Sequence, residues 1–459
     1  MGTHELSRSV RALIVASFVL VAAVAYADDP QGPDTDTEAT PLPPAEAPAE
    51  PTVPSDVPQV PLDQAPPPIK SDWEEWRDKI WSGAKDVIPI PEVILDPNEG
   101  NTYGLMGVWL LTDEKDEIKY MVAPDFRWNE TKGSFPSFRL FGYPTDNQRY
   151  TIQVGKSTTR DEDYEIEYSD RGLMDEKAFI LAKFLYERDS TERFFGFGNH
   201  SEESQESNYT GEDLYLDATP GYWILPQVNV SYRMRIRRHN VQPGQVAGVP
   251  FVGTEFPFLY GKGIESAVYW QHRLAITYDT RDSMDMPKDG TFLNAYVDGA
   301  DRHVGSSTSF VAFGFEARNF FPFRGELKNP VLATRAFVDY LQGGTDTPFW
   351  LQNSLGGRRA LRGYGGDRFV DFNRALLSAE LRTRVYERKL FGVNGELELA
   401  PFVEAGQVFR HIYDPPLDDL HFVGGMGIRA LVRPQLVAFV DIGYGSEGDS
   451  IFTGIDYPF

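Results

Sequence analysis

Two groups of polar residues in this sequence could carry chemistry. The first is Arg362-Gly363-Tyr364, which follows a glycine pair in a long loop over residues 343–372. A guanidinium group presents its N–H donors as a planar fork that suits carboxylates bound through two hydrogen bonds. Arg362 therefore predicts an ion-pair site, provided that the fold brings acidic side chains to the loop and withdraws the arginine from bulk water.

The second group is Asn199-His200-Ser201, the one place where a histidine and a serine are adjacent. Neighbouring side chains in an extended loop point apart, and the following Glu202 and Glu203 are typical of a solvated loop. The sequence also lacks the Gly-x-Ser-x-Gly elbow of many serine hydrolases. We therefore expect no catalytic residues and no enzyme activity. No spacing of ligands predicts a metal site, and no cofactor is expected.

Acidic residues on the strands after the long loop could pair with Arg362. Residues 373–387 alternate between an aliphatic face and a polar face, and Glu380 lies on the polar face. In the next predicted strand, Glu404 shares a face with Glu396 and Glu398. Arg358 and Arg359 could reach other carboxylates, and the sequence does not rank the candidates Asp339 and Glu316.

Such alternating segments recur along most of the chain, and they predict an all-β fold. From residue 102 to residue 459 we count seventeen candidate strands, rich in β-branched and aromatic residues and separated by polar or Gly/Pro turns. Bacterial single-chain barrels have even strand numbers. The highly charged segment 161–170 is the weakest candidate, so we predict a single antiparallel transmembrane β-barrel of about 16 strands over 102–459.

The first 27 residues predict export. Arg8 and Arg11 precede an apolar run over residues 12–24 that is too short to span a bilayer as a helix. Ala25-Tyr26-Ala27 then supplies the small-x-small pattern for signal-peptidase cleavage after Ala27. The predicted location is the bacterial outer membrane, with its lipid as a partner. A net charge of −24 argues against nucleic-acid partners, and the absence of cysteine excludes a disulfide-stapled scaffold.

Two segments separate the signal peptide from the predicted barrel. Residues 28–70 contain 13 prolines and nine acidic residues, which predicts a disordered linker. In 71–101, a short amphipathic helix is predicted whose single face carries Trp73, Trp76, Ile80 and Trp81, before Pro89 and Pro91 end the pattern. The helix could lie at the membrane interface, plug the barrel or pack against its base. Residues 28–70 could form a periplasmic tether or wall-spanning spacer, or merely a solvated tail. Residues 28–100 could bind a periplasmic partner.

The last residues predict recognition during assembly. Alternate positions over 451–459 are apolar or β-branched, and they include Tyr457 and Phe459. This pattern resembles the terminal-strand signal that the barrel-assembly machinery recognises, which makes that machinery an expected partner. Pro458 is unusual in such a signal, but it is tolerable if the strand end is frayed.

The loop motif and its context resemble the BamA/TamA surface-antigen superfamily of outer-membrane barrels. Arg362-Gly363-Tyr364 is similar to the hallmark of the family's inward-folded loop, and Glu380 and Glu404 match the positions of its acidic partners, although the family more often has Asp at the second. Two further segments, 278–282 and 193–199, are similar to family elements. Members that insert or secrete proteins carry periplasmic POTRA modules, which the proline-rich region before the barrel does not resemble. The resemblance implies a POTRA-less member.

The resemblance implies a pore or scaffold related to transport or assembly. Alternatives are a surface-exposed adhesin or antigen and, less favoured, an outer-membrane hydrolase. We expect Arg362 to point into the lumen and to contact Glu380, Glu404 or both. Because a barrel of this size keeps water inside, we expect a partly hydrated site of intermediate strength, between exposed and fully buried ion pairs.

Overall fold

A computed structural model describes residues 87–459, apart from 113–117, 324–329, 391–392, 415–416, 433–435, 456 and 458. The predicted signal peptide, the linker and the Trp-rich helix before residue 87 lie outside these described residues. Within the described part of the chain, no helix is long and apolar enough to cross a membrane.

Twenty strands account for most of the described residues. Eighteen form one antiparallel sheet in which β20 pairs with both β19 and β1, so the sheet closes into a barrel. The strands are β1 (Ile88–Asp96), β2 (Gly100–Thr112), β3 (Ile118–Asn129), β4 (Gly133–Thr145), β5 (Gln148–Lys156), β6 (Glu162–Gly172), β7 (Ala178–Phe194), β8 (Ser207–Leu225), β9 (Val228–Pro243), β10 (Ala267–Asp279), β11 (Gly290–Ala300), β12 (Phe310–Pro322), β13 (Val331–Gly343), β14 (Asn353–Leu355), β15 (Phe369–Asp371), β16 (Asn373–Leu390), β17 (Val393–Phe409), β18 (His421–Val432), β19 (Leu436–Gly445) and β20 (Gly448–Ile455). Two one-turn helices, α1 (Leu173–Glu176) and α2 (Val252–Glu255), lie in connections.

The barrel has 18 strands, where the sequence predicted about 16. Each of the seventeen candidate segments contains a strand, including 161–170, which forms β6. The even number is reached by an additional strand, β1, at the start of the barrel. The barrel therefore begins at Ile88, and the predicted boundary at residue 102 falls inside β2.

Prolines explain why β1 does not have the pattern of an ordinary strand. Pro89 and Pro91 occupy alternate positions, so the same edge of β1 lacks two N–H donors. Pairing with β2 nevertheless runs from Ile88 to Asp96. On its other side, the described pairing of β1 with β20 joins Leu95 to Ile451. A strand with two prolines is thus placed at the seam where the sheet closes.

The two faces of the barrel wall differ in polarity, as alternation predicts. On the outside, Leu377 and Val403 are 44% and 62% exposed, in a band of apolar side chains that suits contact with lipid. On the inside, Glu380 is 1% exposed. Lumen charges pair between neighbouring strands: Arg235 and Arg237 of β9 each form two hydrogen bonds of 2.6 Å with aspartates of β8.

The connections at the two ends of the barrel differ in length. At the end where β1 begins, several are short, such as 146–147 and 226–227. At the opposite end, 195–206, 244–266 and 344–372 are long and pack into the barrel mouth. Buried aromatic residues of these loops form a core with the adjoining strand ends, in which the rings of Phe194 of β7 and Phe349 are 5.0 Å apart. This core supports the loop that carries Arg362.

Candidate functional site: a loop held inside the barrel

The loop over 344–372 is shaped by a short ribbon and a tight tip. β14 and β15 pair with each other at the base of the tip. Gly356 and Gly357 have φ of 124° and 88°, and Leu361 has φ of 54°, which is uncommon for a residue with a side chain. Leu361 is fully buried in an apolar cluster with residues of β16, β17 and β18. Burial thus offsets local backbone strain immediately before Arg362.

Arg362 binds three carboxylates from three strands. Glu404 of β17 accepts two hydrogen bonds, one from the backbone N–H at 2.7 Å and one from Nε at 3.1 Å. Nη1 donates to Asp441 of β19 at 2.6 Å and to Glu380 of β16 at 3.2 Å. The loop tip is therefore fixed to the wall through both its main chain and its side chain.

The surroundings of Arg362 are dry. The side chain is 0% exposed, and those of Glu380, Glu404 and Asp441 are at most 2% exposed. The guanidinium carbon lies 3.6 Å from the ring centroid of Phe402, a cation–π contact. Burial alone would lower the pKa of Arg362, but the charges of Glu404, Asp441 and Glu380 outweigh it and raise the pKa above its ordinary value. The site is therefore fully buried, whereas the sequence predicted a partly hydrated one.

Two further arginines complete the charge network. Arg429 of β18 contacts Glu380 at 2.8 Å and Asp441 at 3.3 Å, and it is also 0% exposed. Arg382 of β16 contacts the other oxygen of Glu380 at 2.7 Å. Glu398 of β17, whose side chain is 8% exposed, lies 3.9 Å from Arg429 Nη1, so three arginines are grouped with four buried carboxylates. The ion pairs offset the cost of burial, because an unpaired buried charge is very unfavourable.

Gly363 passes so close to β19 that no side chain fits. A Cβ atom at Gly363 would lie 2.5 Å from the nitrogen of Gly445, and one at Gly443 would lie 2.0 Å from the carbonyl oxygen of Arg362. The glycines of loop and strand thus permit direct backbone contact. Tyr364 then makes a 2.9 Å hydrogen bond between its hydroxyl and that of Ser446.

The structure brings together all five residues that the sequence singled out for the loop site: Arg362, Gly363, Tyr364, Glu380 and Glu404. Three members of the charge network, Asp441, Arg429 and Arg382, were not predicted from the sequence.

Alternation could have indicated all three of these residues, because a charge on an inner strand face is a candidate partner. Asp441 shares the inner face of β19 with the buried Val437 and Phe439. Arg429 shares that of β18 with the buried Val423 and Leu431, and Arg382 shares that of β16 with Glu380. Of the proposed carboxylates for Arg358 and Arg359, Asp339 contacts Arg374, and Glu316 contacts two other arginines.

His200 and Ser201 are in different environments. His200 is 85% exposed on its side chain, and its Nε2 lies 2.6 Å from Asp419. The Ser201 hydroxyl accepts a hydrogen bond from Arg368 at 2.9 Å. Among the described residues, no group of three or more acidic or histidine side chains is arranged to hold a metal ion.

The two other segments noted in the sequence have structural contacts. In the connection between β10 and β11, Asp279 accepts hydrogen bonds from Arg281 Nε and Nη2 at 2.9 and 2.8 Å, and Gly290 has φ of 104°. In 193–199, the Asn199 side chain accepts a hydrogen bond from Val408 N, and Gly198 N donates to the oxygen of Val370. The second segment therefore contacts both the inward loop and β17.

Tyr457 and Phe459 face the lumen. The Arg382 guanidinium carbon lies 3.9 Å from the Tyr457 ring centroid and 5.4 Å from that of Phe459. Phe459 is buried in a cluster with Phe320, Val331 and Ala333. This placement concerns the folded barrel, and recognition of the two residues during assembly stays a prediction.

This chain is similar to solved structures of two other proteins. BamA from Haemophilus ducreyi lacking POTRA domains 1-3 matches with a TM-score of 0.50 and 12% identity, over 76% of this chain and 75% of that one. CdiB from Escherichia coli matches at 10% identity with a TM-score of 0.43, over 80% of this chain and 61% of CdiB. No curated protein sequence matches this chain. At these identities the likeness to BamA concerns the fold.

The closed antiparallel sheet, with an apolar outside and a loop held inside the lumen, defines the class of outer-membrane β-barrel proteins. The family model described as the Omp85 superfamily domain matches residues 145–421, more than half of the chain. The chain therefore belongs to the Omp85 superfamily. Its described residues form the barrel and its loops, and they contain no POTRA-type module.

Proposed function

We propose that this protein is a pore or scaffold of transport or assembly type, and that the inward loop controls its lumen. The observation that carries the proposal is the attachment of Arg362 to Glu404, Asp441 and Glu380. Three strands of the wall hold one loop residue in a dry site, so the loop occupies part of the lumen as a fixed structural element. A loop that served only as surface would not require a buried arginine.

Planar-bilayer conductance of the purified barrel tests the proposal. We expect small, steady conductance for the intact protein and a larger or fluctuating conductance when the loop is detached by Arg362→Ala. A companion protein without residues 28–86 tests the role of the N-terminal region. The deletion stops before Ile88, because β1 is part of the barrel wall. Identical conductance for the intact protein and for Arg362→Ala would contradict control by the loop.

Export and assembly belong to the same proposal. The signal peptide is cleaved after Ala27, the protein fractionates with outer membranes, and residues 28–86 are available to a periplasmic partner. The barrel-assembly machinery recognises Tyr457 and Phe459, so Phe459→Ala slows assembly. Because Phe459 also packs in the lumen, the assembly rate and the heat resistance of the assembled barrel are measured separately. Normal assembly with only reduced heat resistance would restrict Phe459 to a packing role.

A surface adhesin or antigen is the second candidate, and exposed loop aromatics favour it. Phe258 and Tyr260 are 52% and 57% exposed in the connection 244–266, and Tyr413 is 92% exposed in another connection at the same end. Binding of the purified barrel to host-cell or matrix surfaces, compared with a triple variant carrying Ser at these positions, tests this role. Equal binding by both proteins would argue against it.

We assign no hydrolytic function. The Ser201 hydroxyl accepts a hydrogen bond from Arg368, while His200 contacts Asp419, so the two side chains do not form a nucleophile–base pair. Esterase and lipase assays on the refolded protein should give background rates. Activity that disappears in both His200→Ala and Ser201→Ala would overturn this assignment.

A further inference from the structure

A cavity of about 500 Å³ lies inside the barrel towards the end where β1 begins. Five arginines from five separate segments line it: Arg149 of β5, Arg281 of the β10–β11 connection, Arg318 of β12, Arg335 of β13 and Arg359 of the inward loop. Its volume falls within the range of small-molecule sites. We name this space the basic vestibule.

Two of these arginines share a single carboxylate oxygen. Nε of Arg318 donates to Glu316 Oε1 at 2.8 Å, and Nε of Arg335 donates to the same oxygen at 2.7 Å. In contrast, Arg281 is bound by both oxygens of Asp279, and Arg149 contacts Asp285 at 2.8 Å. In the described contacts these two guanidinium groups share one carboxylate, so the group of three side chains on the β12–β13 wall carries a net positive charge, and Glu167 and Asp285 are the acidic residues among the described lining of the cavity.

Arg335 also connects this wall to the inward loop. Its Nη1 donates to the carbonyl oxygen of Arg359 at 2.9 Å. Arg318 and Arg335 both line the cavity. Paired guanidinium forks of this kind are suited to bind phosphate oxygens through several charge-assisted hydrogen bonds.

Another part of the vestibule is apolar. Met121 of β3 and Val437 of β19 are 3% and 2% exposed, and the lining also includes Phe141, Ile455 and Phe459. Met121, Phe141, Val437 and Ile455 lie on strands near the seam between β20 and β1, whereas Phe459 packs against β12 and β13 on the basic side. Elsewhere, many inward positions of the barrel carry ion pairs. A cavity with a basic side and an apolar side matches an amphiphile with an anionic head.

We propose that the basic vestibule binds a phosphate-bearing amphiphile, with the phosphate on Arg318 and Arg335 and the acyl chain against Met121, Phe141 and Val437. Phospholipids have both parts, a phosphate and acyl chains, and the membrane around the barrel contains them. Basic pockets in membrane proteins bind anionic lipid head groups by this chemistry.

Calorimetric titration of the intact purified barrel with dioctanoyl phosphatidylglycerol tests the site, with inorganic phosphate as the probe that lacks chains. We expect saturable binding of the lipid and binding of phosphate that is weaker by about tenfold or more. Equal affinity for both probes would overturn the amphiphile assignment. Absence of saturable binding by the lipid would overturn the site.

Three variants locate the phosphate. Arg318→Gln with Arg335→Gln should weaken lipid binding by about tenfold or more, because charge-assisted hydrogen bonds are lost. Glu316→Gln should strengthen it, because it removes the shared carboxylate and leaves both arginines in place. The control is Arg273→Gln in β10, whose partner is Asp298 and which does not line the vestibule. Weaker lipid binding by Glu316→Gln would contradict the assignment, and this test holds even if the double variant folds poorly. A loss of lipid affinity in Arg273→Gln as large as that in the double variant would also contradict it.

Discussion

Glu404 binds Arg362 twice, accepting a hydrogen bond from its backbone N–H at 2.7 Å and another from its Nε at 3.1 Å. A carboxylate that holds both the main chain and the side chain of one residue fixes the position and the orientation of the loop tip. The contact also satisfies a backbone donor that is fully buried.

Removal of the Arg362 side chain should destabilise the barrel. Arg362→Ala leaves Glu380, Glu404 and Asp441 buried with less positive charge, which by analogy with broken buried ion pairs costs about 3–5 kcal/mol. We expect poor assembly or a clear loss of heat resistance, measured as the temperature at which the folded band disappears in heat-modifiable electrophoresis. Arg362→Lys should restore only part of the resistance, because an ammonium group lacks the planar fork.

Arg160 offers the control for this experiment, since it is exposed in the connection between β5 and β6. Arg160→Ala removes an arginine from a loop without disturbing a buried network, so its heat resistance should match that of the unmodified protein. If Arg362→Ala behaves like Arg160→Ala, the buried network does not stabilise the barrel.

Glu404 is the suitable partner for a double-mutant cycle. Glu380 contacts Arg362, Arg382 and Arg429, so its removal disturbs several pairs at once. The charged partner described for Glu404 is Arg362. Glu404→Gln combined with Arg362→Ala should therefore cost less in unfolding free energy than the two single changes together. Strict additivity in denaturant unfolding of the refolded barrel would show that the two residues are not coupled.

Gly363 should tolerate no side chain. In Gly363→Ala, the new methyl group would lie 2.5 Å from the nitrogen of Gly445, and the close atoms are all backbone atoms of β19, so no side chain can move aside to relieve the contact. We expect destabilisation of about 1–3 kcal/mol or more, as in overpacked cores, together with slow assembly. Gly366→Ala is a control within the same loop, because the nearest atom to its Cβ is Asn98 Nδ2 at 3.6 Å. Equal heat resistance of the two variants would show that the loop tip can move away from β19.

The barrel wall could be predicted from the sequence because a lumen and a lipid face impose alternation with a period of two. That pattern located all seventeen candidate strands. β1 was not predicted because Pro89 and Pro91 are unfavourable in an ordinary strand, and only its position at the seam makes them acceptable. The segment 161–170 is the weakest candidate in the sequence because of its many charges. In the structure, Lys183 of the neighbouring β7 forms an ion pair with Glu165 of β6, a compensation of charge that the sequence of one strand alone cannot show.

The candidate site could be predicted in part. The family resemblance and alternation indicated Arg362, Glu380 and Glu404, which the structure brings together. Asp441 was not predicted because it comes 79 residues after Arg362, and a strand pattern alone does not show which inner-face positions of different strands meet at the loop tip. The dryness of the site was also missed, since it results from packing of Leu361 and Phe402 around the loop tip and not from any local sequence pattern.

Arg368 should keep the loops at the barrel mouth closed. Its guanidinium donates two hydrogen bonds to Glu447, at 2.7 and 2.6 Å, and two to Ser201, at 2.9 and 2.8 Å. It also lies between the rings of Phe195 and Phe369, at 4.4 and 4.7 Å from their centroids. One side chain, 4% exposed, thus joins three connections at the same end of the barrel.

Arg368→Ala should release these loops without breaking the network around Arg362, because the two arginines have different partners. We expect a higher or more variable single-channel conductance with nearly unchanged assembly, and an intermediate result for Arg368→Lys, which keeps the charge but loses the fork. Arg302→Ala is the matched control, since Arg302 pairs with Asp346 in neighbouring connections and is 56% exposed. The expected conductance of this control is that of the unmodified barrel. If Arg368→Ala conducts no more than Arg302→Ala in the same bilayers, the loops are closed by their aromatic core and not by Arg368.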